Sequence, residues 1–576
     1  MRFFQNKFNL RQYLRRRYKR RNIEIAPEDI LIDSSNIPEY DTSQLEGRLE
    51  KPISRFSLYS VIGFFMIVLI IFGARAINLQ LIHGNDYLKR SQNNLFRPIP
   101  IFSGRGLILD RNDVELAWNT PNVSSDNKIS GDVVAERRYA TSTGLSHILG
   151  YVQYPTKDSN GFYYREDFEG VDGIEKFFNE QLTGKNGSRL IEVDARGNVL
   201  SQNTVRPPEQ GKNIKLSIDS RLQTSLYSNI KDIAERVGFA GGAGIIMDVN
   251  NGEIIALTSY PEYSSQIMSD RNDSRAIRAL LNNQNLPFLD RAVDGLYTPG
   301  SVVKPYIALG ALNEGVIDSE TIIHTTGSIS IPNPYDKTKE TIFRDWKNLG
   351  SLSMRQAIAM SSDAYFYAVG GGYKDQKGLG ILKIDQYLRK FGFGLPMKLD
   401  FAQGKAGTIP TPEWKKKTFN EDWFVGDTYH TAIGQYGFQV TPLQLARAVS
   451  AIANGGSLIV PHIIYGQPVE IEGKVDVPQK YFKIVQEGMI LGAKEGTSKA
   501  FASINAKIAA KSGTAELGVS KDKVNSWITG FWPYDNPKYA FVVMLERGSV
   551  HNLIGAVAAM KQEFEWMEVN TPQYLR

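Results

Sequence analysis

The stretch "GGAGIIMDVNNGEIIALTSYP" (Gly241–Pro261) decides the fold. Two apolar runs flank Asn250-Asn251-Gly252, and that turn chemistry predicts an antiparallel hairpin. "GGAG" leads into a strand rather than a helix, so it is not a phosphate-binding loop. Just upstream, "IKLSID" (Ile214–Asp219) reads as a strand and "SRLQTSLYSNIKDIAERV" (Ser220–Val237) has helical period. Far downstream, "AKIAAKSGTAEL" (Ala506–Leu517) and "SWITGFWPYDNPKYAFVVMLER" (Ser526–Arg547) read as further strands, and "HNLIGAVAAMKQEFEWM" (His551–Met567) as a closing helix. Helical stretches fill the middle, and no repeat of fixed period is present. An antiparallel sheet built from both ends of one domain around a helical insert is an α+β layout.

Before this domain lies a smaller α+β module. "GRGLILDRNDVELAWN" (Gly104–Asn119) approaches alternation on either side of a "DRND" turn, which predicts two strands. A polar loop follows from Asn119 to Asp132. Gly173 precedes a short amphipathic helix that Gly184 and Gly187 end, and a strand and a turn at Ala195-Arg196-Gly197 close the module. "RPPEQGKN" (Arg206–Asn213) is the exit linker.

The 576 residues include no cysteine, which excludes disulfides, thiolate metal sites and a cysteine nucleophile. The net charge of +6 is too modest to argue for nucleic acid. Much of it sits between Met1 and Arg55, where 12 Lys/Arg face 8 Asp/Glu, seven of the basic residues lying in Arg11–Arg21. Phe56–Ala74 is then uncharged across 19 residues, close to the ~20 that span a bilayer. Ala74-Arg75-Ala76 resembles a signal-peptidase site, but the run exceeds a signal-peptide core and the basic region before it is about fifty residues long. The expectation is an uncleaved single-pass anchor with a cytoplasmic N-terminus and about 500 residues outside the membrane. The basic cluster then lies near anionic lipid.

The chemistry starts at "GLYTPGSVVKPYIALG" (Gly295–Gly310). Ser301 and Lys304 stand at i and i+3, which a helix places on one face. A serine hydroxyl needs a base to become a nucleophile, and a desolvated lysine serves. N–H groups at a helix start can stabilise an oxyanion. Alone the pair is a weak signal. "AMSSDAYFY" adds Ser361-Ser362-Asp363 in a helical region, and "AAKSGTAE" adds Lys511-Ser512-Gly513-Thr514 on a strand, with Gly513 allowing close backbone approach. In this order the three form the S-x-x-K, S-x-[ND], K-[ST]-G set of penicillin-binding proteins and β-lactamases.

With these motifs the chain resembles a class B penicillin-binding protein, most of all an elongation-type penicillin-binding protein 2, a peptidoglycan D,D-transpeptidase. "GRGLILDRND", with Asp113 where glycine is usual, "GVDGIEKFFNEQLTGKNG", "PFLDRAVDGLYTPGSVVKP" and "FRDWKNLG" carry the likeness. "PTPEWKKKTFNEDWFVGDTYHTAIGQYGFQVTPLQLA" carries it too, with Tyr436-Gly437 in inverted order. The resemblance implies a cytoplasmic basic tail (1–55), a transmembrane anchor (56–76), a non-catalytic pedestal domain (77–210) and a transpeptidase domain (211–576). The last has an antiparallel sheet, flanking helices and a helical subdomain.

It implies that Ser301 is acylated by the penultimate D-Ala of a stem pentapeptide, that Lys304 is the base, and that Ser361 and Lys511 relay protons. Asp363 would orient Lys304 and the substrate amide. Ser512 and Thr514, beside Lys511 and Gly513, would hold the substrate carboxylate, and the N–H groups of Ser301 and Thr514 would form the oxyanion hole. It also implies inhibition by β-lactams, a role in cell-wall elongation, and docking of anchor and pedestal to a SEDS-type glycosyltransferase. No cofactor is expected. No metal is expected near Asp345 either, where some relatives use His and Cys that this chain lacks.

One departure is large. Only Val114–Arg138 fills the space where the family carries the head of its pedestal, so that head is expected to be largely missing. A β-lactamase is disfavoured because Glu413 in "PEWKKK" lacks the Asn partner of a deacylating glutamate. A D,D-carboxypeptidase and a non-catalytic activator scaffold of a glycan polymerase remain alternatives. The aromatic residues from Trp414 to Tyr436 are expected to pack rather than to line a groove.

Overall fold

A computed structural model describes residues 54–87, 96–120, 134–159, 163–193, 199–397 and 399–576. Helix α1 (Arg55–Ile77) is capped by Ser54, whose hydroxyl accepts the N–H of Ser57, and it runs on into a π-helical turn over Asn78–Ile82. None of its residues is buried. Among the described residues, Arg55–Ile82 is the one helix long and apolar enough to cross a membrane, and it fits a single-pass anchor. The basic cluster at Arg11–Arg21 lies outside the described residues.

Residues 94–576 form a compact body of their own. Its first part holds two small sheets. One is three-stranded, with β5 (Gly187–Val193) between β1 (Phe96–Ile101) and β6 (Val199–Arg206). The other has the order β7-β2-β3-β4, from β2 (Ile108–Leu109), β3 (Glu115–Thr120), β4 (Glu136–Tyr139) and β7 (Ile214–Lys215). The "DRND" turn between β2 and β3 is built by Asp110, whose carboxylate accepts the N–H groups of Asn112 and Val114 at 2.7 and 2.9 Å. Strands β3 and β4 pair directly, from Ala117↔Tyr139 to Thr120↔Glu136, so a short connection joins neighbours in one sheet. Most of the expected loop, residues 121–133, lies outside the described residues, as does the turn at Ala195-Arg196-Gly197.

The helix expected after Gly173 is two pieces, α2 (Gly173–Phe177) and a turn over Asn179–Thr183, and Gly173 is its first residue. Gly187 opens β5 rather than ending a helix. What holds α2 is charge: Glu175, fully buried, accepts from Arg105 Nε at 2.5 Å and Arg137 Nε at 2.7 Å. Burial pushes its carboxyl up, but the Arg137 and Arg105 guanidiniums outweigh that and hold it below the usual carboxylate range.

The second part is a five-stranded antiparallel sheet of order β9-β8-β12-β11-β10. Strands β8 (Gly241–Asp248) and β9 (Ile254–Tyr260) are the predicted hairpin, while β10 (Ala509–Leu517), β11 (Lys523–Trp532) and β12 (Tyr539–Ser549) come from the far end of the chain. Period-two alternation sends neighbours to opposite faces. Ile246, Val543, Ile528 and Phe541 pack under α3 (Ser220–Val237) and α10 (Ala556–Asn570), whereas Ile245, Val542, Met544 and Trp527 join the larger core on the other side. That larger core holds the helical insert: α4 (Lys304–Asn313), α5 (Met354–Met360), α6 (Asp363–Gly371), α7 (Val425–Ala432), α8 (Pro442–Ala453) and α9 (Gln479–Lys494). Both faces of the sheet are covered, and β10 stands at its edge, free to face the insert.

Candidate active site

Three segments meet at the edge of β10. Ser301 lies in a 3₁₀ turn over Gly300–Val303, and Lys304 starts α4, so the pair spans a junction rather than one continuous helix. Gly300 has φ +60°, and a Cβ there would come within 2.6 Å of the Thr514 carbonyl oxygen. A Cβ on Gly513 would lie 2.8 Å from the Val302 side chain. Both glycines therefore allow the nucleophile turn to press against β10. The Gly300 N–H donates to the Gly434 carbonyl at 2.9 Å, fixing the turn from the other side.

Ser361 lies in the helical region expected of it, at the break between α5 and α6, where it takes the left-handed conformation at φ 56°. The break is anchored by Asp345, which accepts from the Ser362 hydroxyl at 2.6 Å and from the Ala364 N–H at 3.0 Å. An anion at the start of α6 complements its unpaired N–H groups. The kink turns the Ser361 hydroxyl between two lysines. Lys304 is fully buried; its amine donates to Asp363 Oδ1 at 2.6 Å and to the Ser361 carbonyl at 2.7 Å, with the Ser361 hydroxyl at 3.4 Å. Lys511, also buried, donates to the Ser361 hydroxyl at 2.7 Å and to the Ser512 carbonyl at 2.7 Å. Burial pushes the Lys511 amine well below the ordinary lysine value; the Lys304 cation pushes it the same way, and Asp363 only partly opposes them.

Along β10, Lys511 and Gly513 are buried while Ser512 and Thr514 face outward, half-buried and exposed. The Ser512 hydroxyl donates to the Thr497 hydroxyl at 2.7 Å. All eight predicted residues, Ser301, Lys304, Ser361, Asp363, Lys511, Ser512, Gly513 and Thr514, thus lie on these three segments. Asp345 and Thr497 were not singled out as site residues, because their roles depend on contacts far along the chain. Further along, Tyr436 is ringed by Trp414, Trp423 and His430 with centroids 5.8, 6.1 and 6.4 Å away. Buried Lys415 sits beside it, paired with Asp427 at 2.8 Å, so this region is a packed cluster. Among the described residues, no group of three or more His, Asp or Glu is placed to hold a metal ion.

What this arrangement can do is acyl transfer: a serine at a turn, two amines linked through a hydroxyl, and an outward polar strand edge. Known proteins share the fold that carries it. The penicillin-binding protein transpeptidase domain matches residues 242–561, and the penicillin-binding protein dimerisation domain matches residues 127–216. The peptidoglycan D,D-transpeptidase MrdA of Haemophilus influenzae is 32% identical over 482 residues, covering 76% of this chain and 70% of that one. The penicillin-binding protein 2 solved with MreC from Helicobacter pylori superposes with a TM-score of 0.66 at 28% identity, over 82% of this chain and 99% of that one. A chain from a peptidoglycan synthase complex that coordinates polymerisation and crosslinking matches at TM-score 0.67 and 26% identity, over 88% of this chain and 97% of that one. Domain matches, motif geometry and whole-body fold agree: the chain belongs to the penicillin-binding protein transpeptidase family, as a class B member of the PBP2/MrdA type.

Proposed function

We propose that this protein is a peptidoglycan D,D-transpeptidase working through an acyl-enzyme on Ser301, and that the two-lysine relay centred on Ser361 drives it. The observation that carries this reading is the position of the Ser361 hydroxyl, 2.7 Å from the Lys511 amine and 3.4 Å from the Lys304 amine. Among the described residues Asp363 is the one carboxylate in contact with these amines, so the site favours shedding a proton. With Lys511 neutral, the Ser361 hydroxyl can pass a proton to it, and Lys304, on the other side of that hydroxyl, is the base in this reading.

Ser301 Oγ then attacks the carbonyl of the penultimate D-Ala and gives its proton to Lys304. The peptide C–N bond breaks as Ser361 passes a proton to the leaving D-Ala amine. In the second half an acceptor amine attacks the ester, an amide forms, and Ser301 regains its proton. Ser512 and Thr514 hold the substrate carboxylate, and the N–H groups of Ser301 and Thr514 receive the oxyanion. Labelled penicillin acylates the wild-type chain and fails on Ser301→Ala; a label that survives that change sinks the assignment. A pentapeptide donor with an acceptor amine, followed by mass spectrometry, separates crosslinking from simple release of D-Ala.

In the same reading residues 77–210 are the pedestal and 211–576 the catalytic domain. The N-terminus is cytoplasmic and the catalytic domain extracytoplasmic, as the basic residues before the anchor support. The anchor and pedestal dock a SEDS-type glycosyltransferase of the elongation machinery. The membership of a related chain in a peptidoglycan synthase complex supports this last point. A complex that persists when Gly104–Asn112 and the anchor are both mutated would count against it.

A further inference from the structure

The contact between Ser512 and Thr497 has a hydrogen count that does not fit a static role. Each hydroxyl carries one proton. In the structure the Ser512 hydroxyl spends its proton on Thr497 Oγ1 at 2.7 Å, and the Thr497 hydroxyl points its own at the Ala359 carbonyl, a long 3.4 Å away. That carbonyl already receives the Thr497 backbone N–H at 3.1 Å. In this arrangement Ser512 has no proton to offer a carboxylate.

We propose that Thr497 is a positioning residue whose hydroxyl reverses direction when substrate binds, donating to Ser512 so that Ser512 can donate to the substrate carboxylate. The inference rests on the carboxylate-holding role given to Ser512 above. The reversal is cheap: the one hydrogen bond given up is the long one to Ala359, and that oxygen keeps its backbone donor. The short Ser512–Thr497 bond is kept with its direction reversed, and a hydroxyl that accepts a proton donates its own more strongly. The carboxylate is charged, so a bond to it is among the stronger kinds. Because the Thr497 N–H holds the Ala359 carbonyl, two residues before Ser361, the backbone tie of Thr497 to the second motif is independent of the hydroxyl.

The test is kcat/KM of the full chain on two donors that differ only at the C-terminus, a D-Ala-D-Ala peptide and its C-terminal carboxamide. Thr497→Val keeps the shape and the backbone bond and removes the hydroxyl. It is expected to lower kcat/KM on the carboxylate donor about fivefold to tenfold, mostly through KM, and to leave the carboxamide rate within twofold, one hydrogen bond being worth about 1 kcal/mol. Thr497→Ser restores the preference. An equal loss on both donors means a merely structural role and overturns the proposal, as does failure of Thr497→Ser to rescue or an unchanged preference in Thr497→Val. Ser512→Ala separates the levels. If it leaves the carboxylate preference intact, the role of Ser512 fails and this inference with it. If it removes the preference while Thr497→Val does not, this inference alone fails.

Discussion

Two buried charge clusters in this molecule have the same stoichiometry and opposite behaviour. In the first part of the body, Glu175 lies between Arg105 and Arg137; at the catalytic edge, Asp363 serves Lys304, with Lys511 one hydroxyl away. Each has two cations and one carboxylate. A guanidinium cannot give up its proton inside a protein, so the first cluster resolves its imbalance by geometry, with each carboxylate oxygen taking one guanidinium. An amine can, so the second resolves its imbalance by titration, and Lys511 is driven toward neutrality. The same charge count yields a clamp with arginine and a proton relay with lysine.

Exchanging these chemistries is the most severe way to break that comparison. Lys511→Arg installs a cation that cannot be shed, so the relay loses its acceptor. Penicillin acylation is expected to fall on the order of 10³-fold, within the range for removing a general acid–base group, while the melting temperature stays within a few degrees. Stopped-flow acylation with a reporter β-lactam measures the rate; activity within tenfold of wild type would show that Lys511 acts as a fixed charge. Glu175→Ala is the counterpart in the clamp. It strands two buried guanidiniums and is expected to cost about 3–5 kcal/mol. Thermal melts of the detergent-solubilised chain check this, and a loss below about 1 kcal/mol would mean the cluster is open to water.

pH sharpens the contrast: both clusters make stability rise with pH, but in different windows, and the shift reflects a stabilising pairing at Glu175 and a destabilising burial at Lys511. The folded Glu175 carboxyl lies below its unfolded value, so its stabilisation is present above about pH 4.3 and is lost as pH falls through the folded value. The folded Lys511 amine also lies below its unfolded value, but it is a base. Below its ordinary value the unfolded chain binds more protons, so stability rises with pH across the window between the folded and ordinary lysine values. Lys511→Met should therefore stabilise the chain near neutral pH and flatten that rise. Denaturant melts across pH in both variants check this, and an unchanged slope in Lys511→Met would contradict the depressed amine.

How far the residues announced all this differs by element. The hairpin Gly241–Pro261 was legible because alternation and an Asn-Gly turn are local signals. The three catalytic motifs were legible because the chemistry constrains spacing within four residues. The break at Ser361 was not, since "AIAMSSDAYFY" is rich in helix formers and the left-handed residue is imposed by Asp345, 16 positions away. Thr497 carries no local signal either; its importance comes from register with β10. The buried trio around Glu175 joins residues 70 and 38 apart, a pairing that charge pattern alone does not reveal.

Asp345 supplies the mildest prediction and a third term in the comparison, an anion with no ion pair among the described residues. Its carboxylate is matched by the Ser362 hydroxyl, the Ala364 and Trp346 N–H groups and the start of α6. Asp345→Asn keeps one acceptor oxygen and removes the charge that favours the helix start, an effect of about 0.3–1 kcal/mol. The Ser362 hydroxyl and the Ala364 N–H share one oxygen while the other accepts the Trp346 N–H at 2.8 Å, so an amide that keeps the first pair turns its NH2 on Trp346; the Ser361 break loosens and its hydroxyl spends less time between the lysines. Acylation is expected to fall about threefold to tenfold, with a melting temperature lower by a few degrees. The loss should fall on the rate rather than on ligand affinity, because Asp345 holds the segment that carries Ser361 and touches neither Ser512 nor Thr514. If the variant instead loses affinity at constant rate, Asp345 shapes the binding edge, and the break between α5 and α6 is held by the Ser362 cap alone.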